Sequence, residues 1–389
     1  MSSTPPASRR ARVNSITKHF ASLPDPRVAR TRVHLLTDLI TIAILAVIAG
    51  AEGWDDIETY AEAREPMLRE FLDLPGGAPS DDTFRRLFVR LNPKAFVACF
   101  TAWMSSLIGS CEGKLVALDG KTLRRSFDRA RGKGPLHLVH AWVAENRVLL
   151  GQYATEEKSN EITAIPELLD LLDLRGAVVT LDAMGCQKKI VAKIIEKEAD
   201  YAITLKGNQS KLHTDVADYM DAAIADGGVR TYETREENHG RVEVRRVSVS
   251  SDVDWLEGID EWVGLRTLVC IERERTVGGK TSRERGYCIT SLPAGHIRKI
   301  ARTIRGHWSV ENALHWSLDV AFQEDASRIR SGSAAENFAL LRRIALTLLR
   351  QEKSIRGGAP TKRFRAAVDP GYEIRVLLAG NYTNSGLER

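Results

Sequence analysis

LVALDGKTLRRS, residues 115–126, is the stretch on which the reading of this 389-residue chain turns. Leu115 to Leu118 make a short apolar run of the kind a buried strand leaves. It closes on Asp119, a carboxylate where another apolar residue is due. AVVTLDAMGCQKK, residues 177–189, repeats the arrangement, with Ala177 to Leu181 closing on Asp182. A third acid, Glu311, stands inside the aromatic, helix-like segment RGHWSVENALHWSLDVAFQED, residues 305–325. One Asp after a strand is ordinarily a turn or cap residue. Two of them with a helical Glu point instead to a divalent-metal site. Hard cations take carboxylate oxygens, and a two-metal displacement at phosphorus needs several such ligands around open coordination positions.

Outward from these acids the patterns define a domain. Leu136 to Ala144 and Val148 to Ala154 read as a hairpin about the Glu145-Asn146-Arg147 turn. Glu161 to Leu172 and Gln187 to Glu198 read as helices, and Tyr201 to Leu205 as a strand. Strand, strand, strand, helix, strand, helix, strand is the order of an RNase H-like α/β domain, a mixed sheet flanked by helices. In that topology the first and fourth strands are neighbours, so Asp119 and Asp182 are expected side by side although 63 positions apart. A helix from Ser210 to Ile224 follows. Residues 228–292 then alternate or carry β-branched residues around a Gly278-Gly279-Lys280 turn, which predicts a β-strand insertion just ahead of the Glu311 helix.

The remaining segments differ in kind. Residues 1–12 lack apolar periodicity and are expected as a disordered basic tail, 13–108 as an all-helical domain, 109–351 as the catalytic domain, and 352–389 as a basic C-terminal tail. Within 13–108, Leu39 to Ala51 reads as a buried helix, Trp54, Ile57, Tyr60 and Ala61 recur at helical spacing, and Pro66 opens a further turn pattern. Ser80 is placed to N-cap a helix over 81–91 that carries Arg85, Arg86 and Arg90. As the second helix of a helix-turn-helix it would present those arginines to DNA. As a bundle helix it would pack Phe84, Leu87, Phe88 and Leu91 inward.

Net charge is +5, but residues 1–35 hold +6 and 328–389 hold +7, which leaves −8 between them. Basic flanks about an acidic centre suit a protein that grips a polyanion while its centre collects cations; the alternative is that the flanks are merely solvated. The five cysteines lack CxxC spacing, which argues against a disulfide framework or a cysteine zinc site and suits a reducing cytoplasm. No apolar run reaches the roughly 20 residues of a membrane span, and no secretory leader is visible. A cytoplasmic, nucleoid-associated protein with no membrane partner is expected.

Phosphate-gripping candidates surround the acids. Lys121, Arg124 and Arg125 follow Asp119; Gln187, Lys188 and Lys189 follow Asp182; Lys206, Asn208 and Gln209 follow the strand ending at Leu205. On one helix, His307, Glu311, His315 and Asp319 would share a face. The His307-x3-Glu311-x3-His315 spacing also admits zinc, but neither cysteine nor a second His pair accompanies it. Trp308 and Trp316 are expected as core anchors rather than base-stacking platforms.

LDGKTLRRS, LDAMGCQKK, LKGNQ and HWSVENALHWSLDVAFQED together resemble the DDE transposases of bacterial insertion sequences, specifically the H-repeat-associated group. The stretch from His19 to Arg64, with PSDDTFRRLF after it, resembles the helical domain that accompanies their catalytic domain. The resemblance implies that Asp119, Asp182 and Glu311 are the catalytic, metal-binding acids. It implies two Mg²⁺ ions, with Mn²⁺ as a substitute, and as partners a double-stranded DNA with terminal inverted repeats and a target DNA. The implied reaction is metal-dependent cleavage at element ends, then strand transfer as the released 3′-hydroxyl attacks the target. Joining two ends implies a homodimer on DNA. Related enzymes carry Tyr and Arg seven and four residues before the helical Glu and Lys seven after. Here Ile304, His307 and Leu318 stand at those positions. Arg305, His307 or Arg328 is therefore expected to take the phosphate, with His315 beside them, and Glu324 and Asp325 are reserve third acids. Two other classes compete: a catalytically inactive DNA-binding protein derived from a transposase, and a metal-dependent hydrolase of small molecules. The first need not keep the acids, and the second has little use for basic termini.

Overall fold

The computed structural model describes residues 13, 17–127, 132, 134–155, 161–238 and 240–379. The expected disordered tail, residues 1–12, lies outside the described residues.

The apolar and β-branched runs pair into one nine-stranded sheet. In chain order the strands are β1 (Leu115–Thr122), β2 (His137–Val143), β3 (Val148–Thr155), β4 (Val178–Leu181), β5 (Asp200–Leu205), β6 (Arg230–Asn238), β7 (Arg241–Ser250), β8 (Thr267–Val277) and β9 (Lys280–Thr290). They lie side by side as β3-β2-β1-β4-β5-β9-β8-β7-β6. β1, β4 and β5 run parallel, and β1 meets β4 from Leu115↔Val178 to Ala117↔Thr180, so the first and fourth strands are neighbours as expected. Every residue of β2 and β4 is buried, as strands sandwiched between helix layers must be.

The strand-rich stretch stands where the sequence reading put it, ahead of the Glu311 segment, and joins the main sheet. β9 pairs antiparallel with β5, from Ala202↔Thr290 to Leu205↔Tyr287, so hairpins β6–β7 and β8–β9 extend the main sheet. The physical reason is β5 itself, whose outer row of N–H and C=O groups would otherwise stand unpaired. One feature of the sheet departs from the sequence reading: β1 does not stop before Asp119. It continues against β2 after β4 has ended, with Asp119 opposite His140 and Lys121 opposite Leu138.

The amino-terminal helices are α1 (Leu36–Ala49), α2 (Trp54–Leu68), α3 (Asp81–Arg90) and α4 (Pro93–Ile108). Pro66 opens nothing new; it lies in the last turn of α2, where a missing N–H costs one intrahelical bond near the end. α3 is held as a bundle helix: Phe84, Leu87, Phe88 and Leu91 are fully buried, and Trp54 stacks on Phe88 with centroids 5.5 Å apart. Ser80 takes the N-cap backbone conformation, but its hydroxyl meets that of Thr83 at 3.2 Å instead of an amide.

The sheet's helices are α5 (Glu161–Asp170), α6 (Lys188–Glu196), α7 (Ser210–Ala225) and α8 (Ile297–His307), followed by a π-helical segment (Val310–His315), α9 (Trp316–Phe322) and α10 (Ala334–Gln351). The expected C-terminal basic tail is instead largely helical, as α11 (Ala359–Val368) and α12 (Pro370–Leu378). Tyr372, Val376 and Leu377 are fully buried, and Tyr60 on α2 donates to Glu373 at 2.6 Å. This packing consumes the charge. Lys362 donates to Leu349 O at 2.9 Å and to Glu352 O; Arg363 donates to Val47 O at 3.1 Å and to Ala321 O. The formal +7 therefore overstates what this end offers a polyanion. No single helix among the described residues is long and apolar enough to cross a membrane, and the five cysteines are free and buried.

Candidate active site

Two of the acids stand at the β1–β4 seam, Asp119 on β1 and Asp182 directly after β4. α8 lies across β1 and β4 at close range because of Gly306, where a Cβ would stand 2.3 Å from Leu115 Cδ2. Directly beyond, the chain winds into the π-helical segment, with Val310, Leu314 and His315 buried and Glu311 exposed. Segments of this kind widen a helix locally and recur at functional sites. Asp182 follows β4 and caps a short 3₁₀ turn, Ala183–Gly185, its Oδ1 accepting Met184 N at 2.9 Å and Gly185 N at 3.4 Å. Asp119 Oδ1 accepts Gly120 N at 2.9 Å.

Burial, chiefly, pushes the Asp119 carboxyl up to about 7; the negative charges of Asp182, Glu161 and Glu311 add to it, over the opposing pull of the Gly120 N–H. A carboxyl feels such charges only at short range, so these four acids share a neighbourhood. Among the described residues, none of Asp119, Asp182 and Glu311 is ion-paired with Lys or Arg. Nor do three His, Cys, Asp or Glu side chains there already close about one point. The donor set nevertheless fits a divalent cation: oxygen ligands, mutually repelling, with one carboxyl held against its preference to ionise.

A buried chain of polar groups supports Asp119. Glu324 takes Arg343 Nη1 at 2.5 Å and Nη2 at 3.2 Å, with both side chains fully buried. Arg343 Nε donates to His140 Nε2 at 3.0 Å. Because that nitrogen accepts, neutral His140 carries its proton on Nδ1 and donates to His315 Nε2 at 3.3 Å; His315 then presents Nδ1–H to Asp119 Oδ2 at 3.5 Å. Burial, with Lys121 and Arg343 nearby, takes His315 down to about 3, so both imidazoles are neutral at physiological pH. On the other side, His137 Nε2 stands 2.5 Å from Glu161 Oε1. Gly120 is required between them, since a Cβ there would lie 2.2 Å from Glu161 Oε1 and 2.5 Å from His137 Nε2.

Several sequence candidates are committed to the protein. Lys121 is buried and bound to Asp319 at 2.7 and 2.8 Å and to Asp325 at 3.3 Å, so it does not reach out to phosphate. Glu324 and Asp325 are spoken for by Arg343 and by Lys121 with Arg124, and neither stands free as a third ligand. Asn208 Nδ2 donates to Ala183 O at 2.6 Å and Gln209 Nε2 to Cys186 O at 2.9 Å, clamping the loop after Asp182. His307 is buried against Thr180 Oγ1 at 3.0 Å and His315 faces Asp119, so both are internal and neither is a surface phosphate ligand. Arg305 pairs with Glu236 on β6 and Lys188 with Glu261 at 2.7 Å. Arg124, Arg125, Lys189, Lys206, Arg85, Arg86 and Arg90 are exposed, the two arginines of α3 nearest Asp82 pairing with it. Trp308 and Trp316 are exposed, contrary to the core-anchor reading, because Val310, Leu314 and Leu318 take the inward face.

Glu161, His137, His140 and Arg343 were missed from the sequence. HLVHAWV, residues 137–143, did carry a signal, two polar residues in an otherwise apolar strand. Glu161 carried none, being one more acid at a helix start.

Comparison with known proteins gives the family. The family described as Transposase DDE domain matches residues 110–348, and the one described as DDE_Tnp_1-associated matches residues 17–104. The chain is 40% identical to the protein named "Putative transposase YncI" of Escherichia coli O157:H7, over 94% of this chain and 95% of that one. It is 37% identical to "H repeat-associated putative transposase YhhI" of Escherichia coli K12, over 95% of this chain and 99% of that one.

Proposed function

The chain belongs to the DDE transposase family, alongside H repeat-associated members, and on that premise we propose that it cuts DNA at the ends of an insertion sequence and joins them to target DNA. Asp119, Asp182 and Glu311 are the proposed metal-holding acids, with Mg²⁺ as the cation and Mn²⁺ as a substitute. The observation that carries the reading is Asp119, a half-buried carboxyl pushed up to about 7 by burial and by the charges of Asp182, Glu161 and Glu311, without a Lys or Arg partner among the described residues. Divalent ions bound there would supply charge neutralisation for the attacking and leaving oxygens of a phosphodiester.

The protein's own part is positioning. The 3₁₀ turn aims Asp182, and the Gly120 N–H and the His315 Nδ1–H aim Asp119. Gly306 sets Glu311 close above β1. Lys189, Lys206 and Arg125, all exposed, are the proposed phosphate contacts, and two copies on DNA would hold two ends. A non-catalytic DNA-binding descendant is the second reading, favoured by Ile304 and Leu318 where related enzymes carry Tyr and Lys.

Mg²⁺-dependent nicking and strand joining, on duplex DNA carrying the gene's own flanks, separates the two. Wild type is expected to cut and join, while Asp119→Ala, Asp182→Ala and Glu311→Ala bind the duplex without cutting. Binding without cutting by the wild type gives the second reading.

A further inference from the structure

Around the same helix from Glu311 lies a separate cavity of about 590 Å³. Its walls include Arg147 from the β2–β3 turn, Ser309 and Trp316 from the Glu311-bearing helix, and Arg350 and Lys353 from the end of α10 and the residues after it. Four cations thus line one space; Lys362 is spent on Glu352, 3.9 Å away, while among the described residues Arg147, Arg350 and Lys353 are in no ion pair. The acids next to them in sequence are turned elsewhere. Glu145 accepts Leu115 N through both oxygens, at 3.0 and 3.1 Å, and Glu352 takes Ser354 N at 2.7 Å and Tyr372 OH at 2.9 Å.

Arg350 is fixed in place for a ligand. Its guanidinium lies 5.0 Å over the Trp142 ring, and its Nη2 donates to Ala313 O and to Ser317 Oγ. Its Nη1 and the Ser309 hydroxyl are buried without a partner. Orphan donors of this kind cost free energy until something accepts from them. Burial first, and Arg147 second, takes Arg350 down to about 10; burial first, then Arg147 and Arg350, depresses Lys353 against the opposing charge of Glu352. These cations repel one another and are relieved by an anion.

We propose that this cavity seats a phosphodiester of the DNA backbone, with Arg147, Arg350 and Lys353 as its cationic wall and the Ser309 hydroxyl as a neutral donor. The proposal rests on the DNA-cleaving reading above and adds a site to it. None of Asp119, Asp182 and Glu311 lines this cavity, so the phosphate seated here is not the scissile one. Trp316, 59% exposed, stands at the rim as a surface for a sugar or base. Arginine serves this role well because its planar fork meets two phosphate oxygens at once.

The test uses the full chain and a fluorescein-labelled duplex of the gene's flanking sequence, titrated over a salt series without divalent cation. Arg147 and Lys353 are exposed, so Arg147→Gln with Lys353→Gln leaves the fold intact. That double variant is expected to bind roughly tenfold more weakly, with the slope of log K against log salt reduced by about two. The charge-keeping pair, Arg147→Lys with Lys353→Arg, is expected to restore both. Unchanged affinity and slope in the Gln pair, while wild type binds and cuts, overturns the cavity assignment and leaves the transposase reading standing. A wild type that does not bind the duplex overturns both. Inorganic phosphate is the second probe: if it stabilises wild type thermally but not the Gln pair, and duplex binding is unaffected, the site takes free phosphate and the DNA assignment falls.

Discussion

Asp119 and Asp182 emerge from adjacent parallel strands, yet the protein holds them in opposite ways. Asp119 lies within a strand, half-buried, and is supported by side chains recruited from far along the sequence: His315 directly, and His140, Arg343 and Glu324 behind it. Asp182 is exposed at a turn and is supported by two backbone N–H groups, while Asn208 and Gln209 clamp the loop by its carbonyls. A carboxylate in a low-dielectric interior needs a complete polar network, since each unpaired member costs several times what a normal hydrogen bond contributes. One at the surface needs only local dipoles. The Asp119 half is therefore where substitutions do most damage to the fold, and the Asp182 half is where they act mainly on the chemistry.

The largest effect is expected from Arg343→Met, which strands Glu324 as a buried unpaired carboxylate and should lower stability by about 3–5 kcal/mol in urea unfolding. Asn208→Ala, its counterpart beside Asp182, should cost about 1 kcal/mol. If the two costs are equal, the contrast between the halves is wrong.

The Asp119 shift gives a pH test. Its carboxyl is raised from 3.8 to about 7 in the fold, so the folded state favours the protonated form. The associated stability is fully present below about pH 4 and is lost as pH rises through 7. Asp119→Asn should thus stabilise the metal-free protein at pH 8 by roughly 1–4 kcal/mol, with the gain fading toward pH 4. Thermal unfolding across that range checks it, and millimolar Mg²⁺ should narrow the gap by stabilising wild type alone. A gain that persists unchanged at pH 4 would show that ionisation is not its source.

Gly120→Ala drives a Cβ into Glu161 and His137 and should cost about 1–3 kcal/mol together with cleavage. Gly207→Ala, in open space beside the Asp182 loop, should move stability by less than about 0.5 kcal/mol. The smallest change is thus expected where the backbone, rather than a buried network, does the holding.

The same division explains what was legible in the sequence. Apolar runs closing on Asp119 and Asp182 made the strands and their adjacency readable, because period and burial are written locally. Lys121 looked like a phosphate ligand because its partners, Asp319 and Asp325, lie 198 and 204 positions away. Pairing at that separation leaves no local mark. The basic C-terminus misled for a related reason: counting charges treats Arg343, Lys362 and Arg363 as solvated, whereas helix packing turned each inward. The π-helical turn also broke a prediction of regular spacing, since His307 and His315 face inward while Glu311 between them faces out.

The central claim, that Asp119, Asp182 and Glu311 together hold divalent cations, is tested most directly by titrating Mn²⁺ into the metal-free chain at pH 8 and following the free ion by electron paramagnetic resonance. Wild type should bind Mn²⁺, with Asp119→Ala, Asp182→Ala and Glu311→Ala each losing that binding while staying folded. Equal binding by wild type and all three variants would contradict the claim.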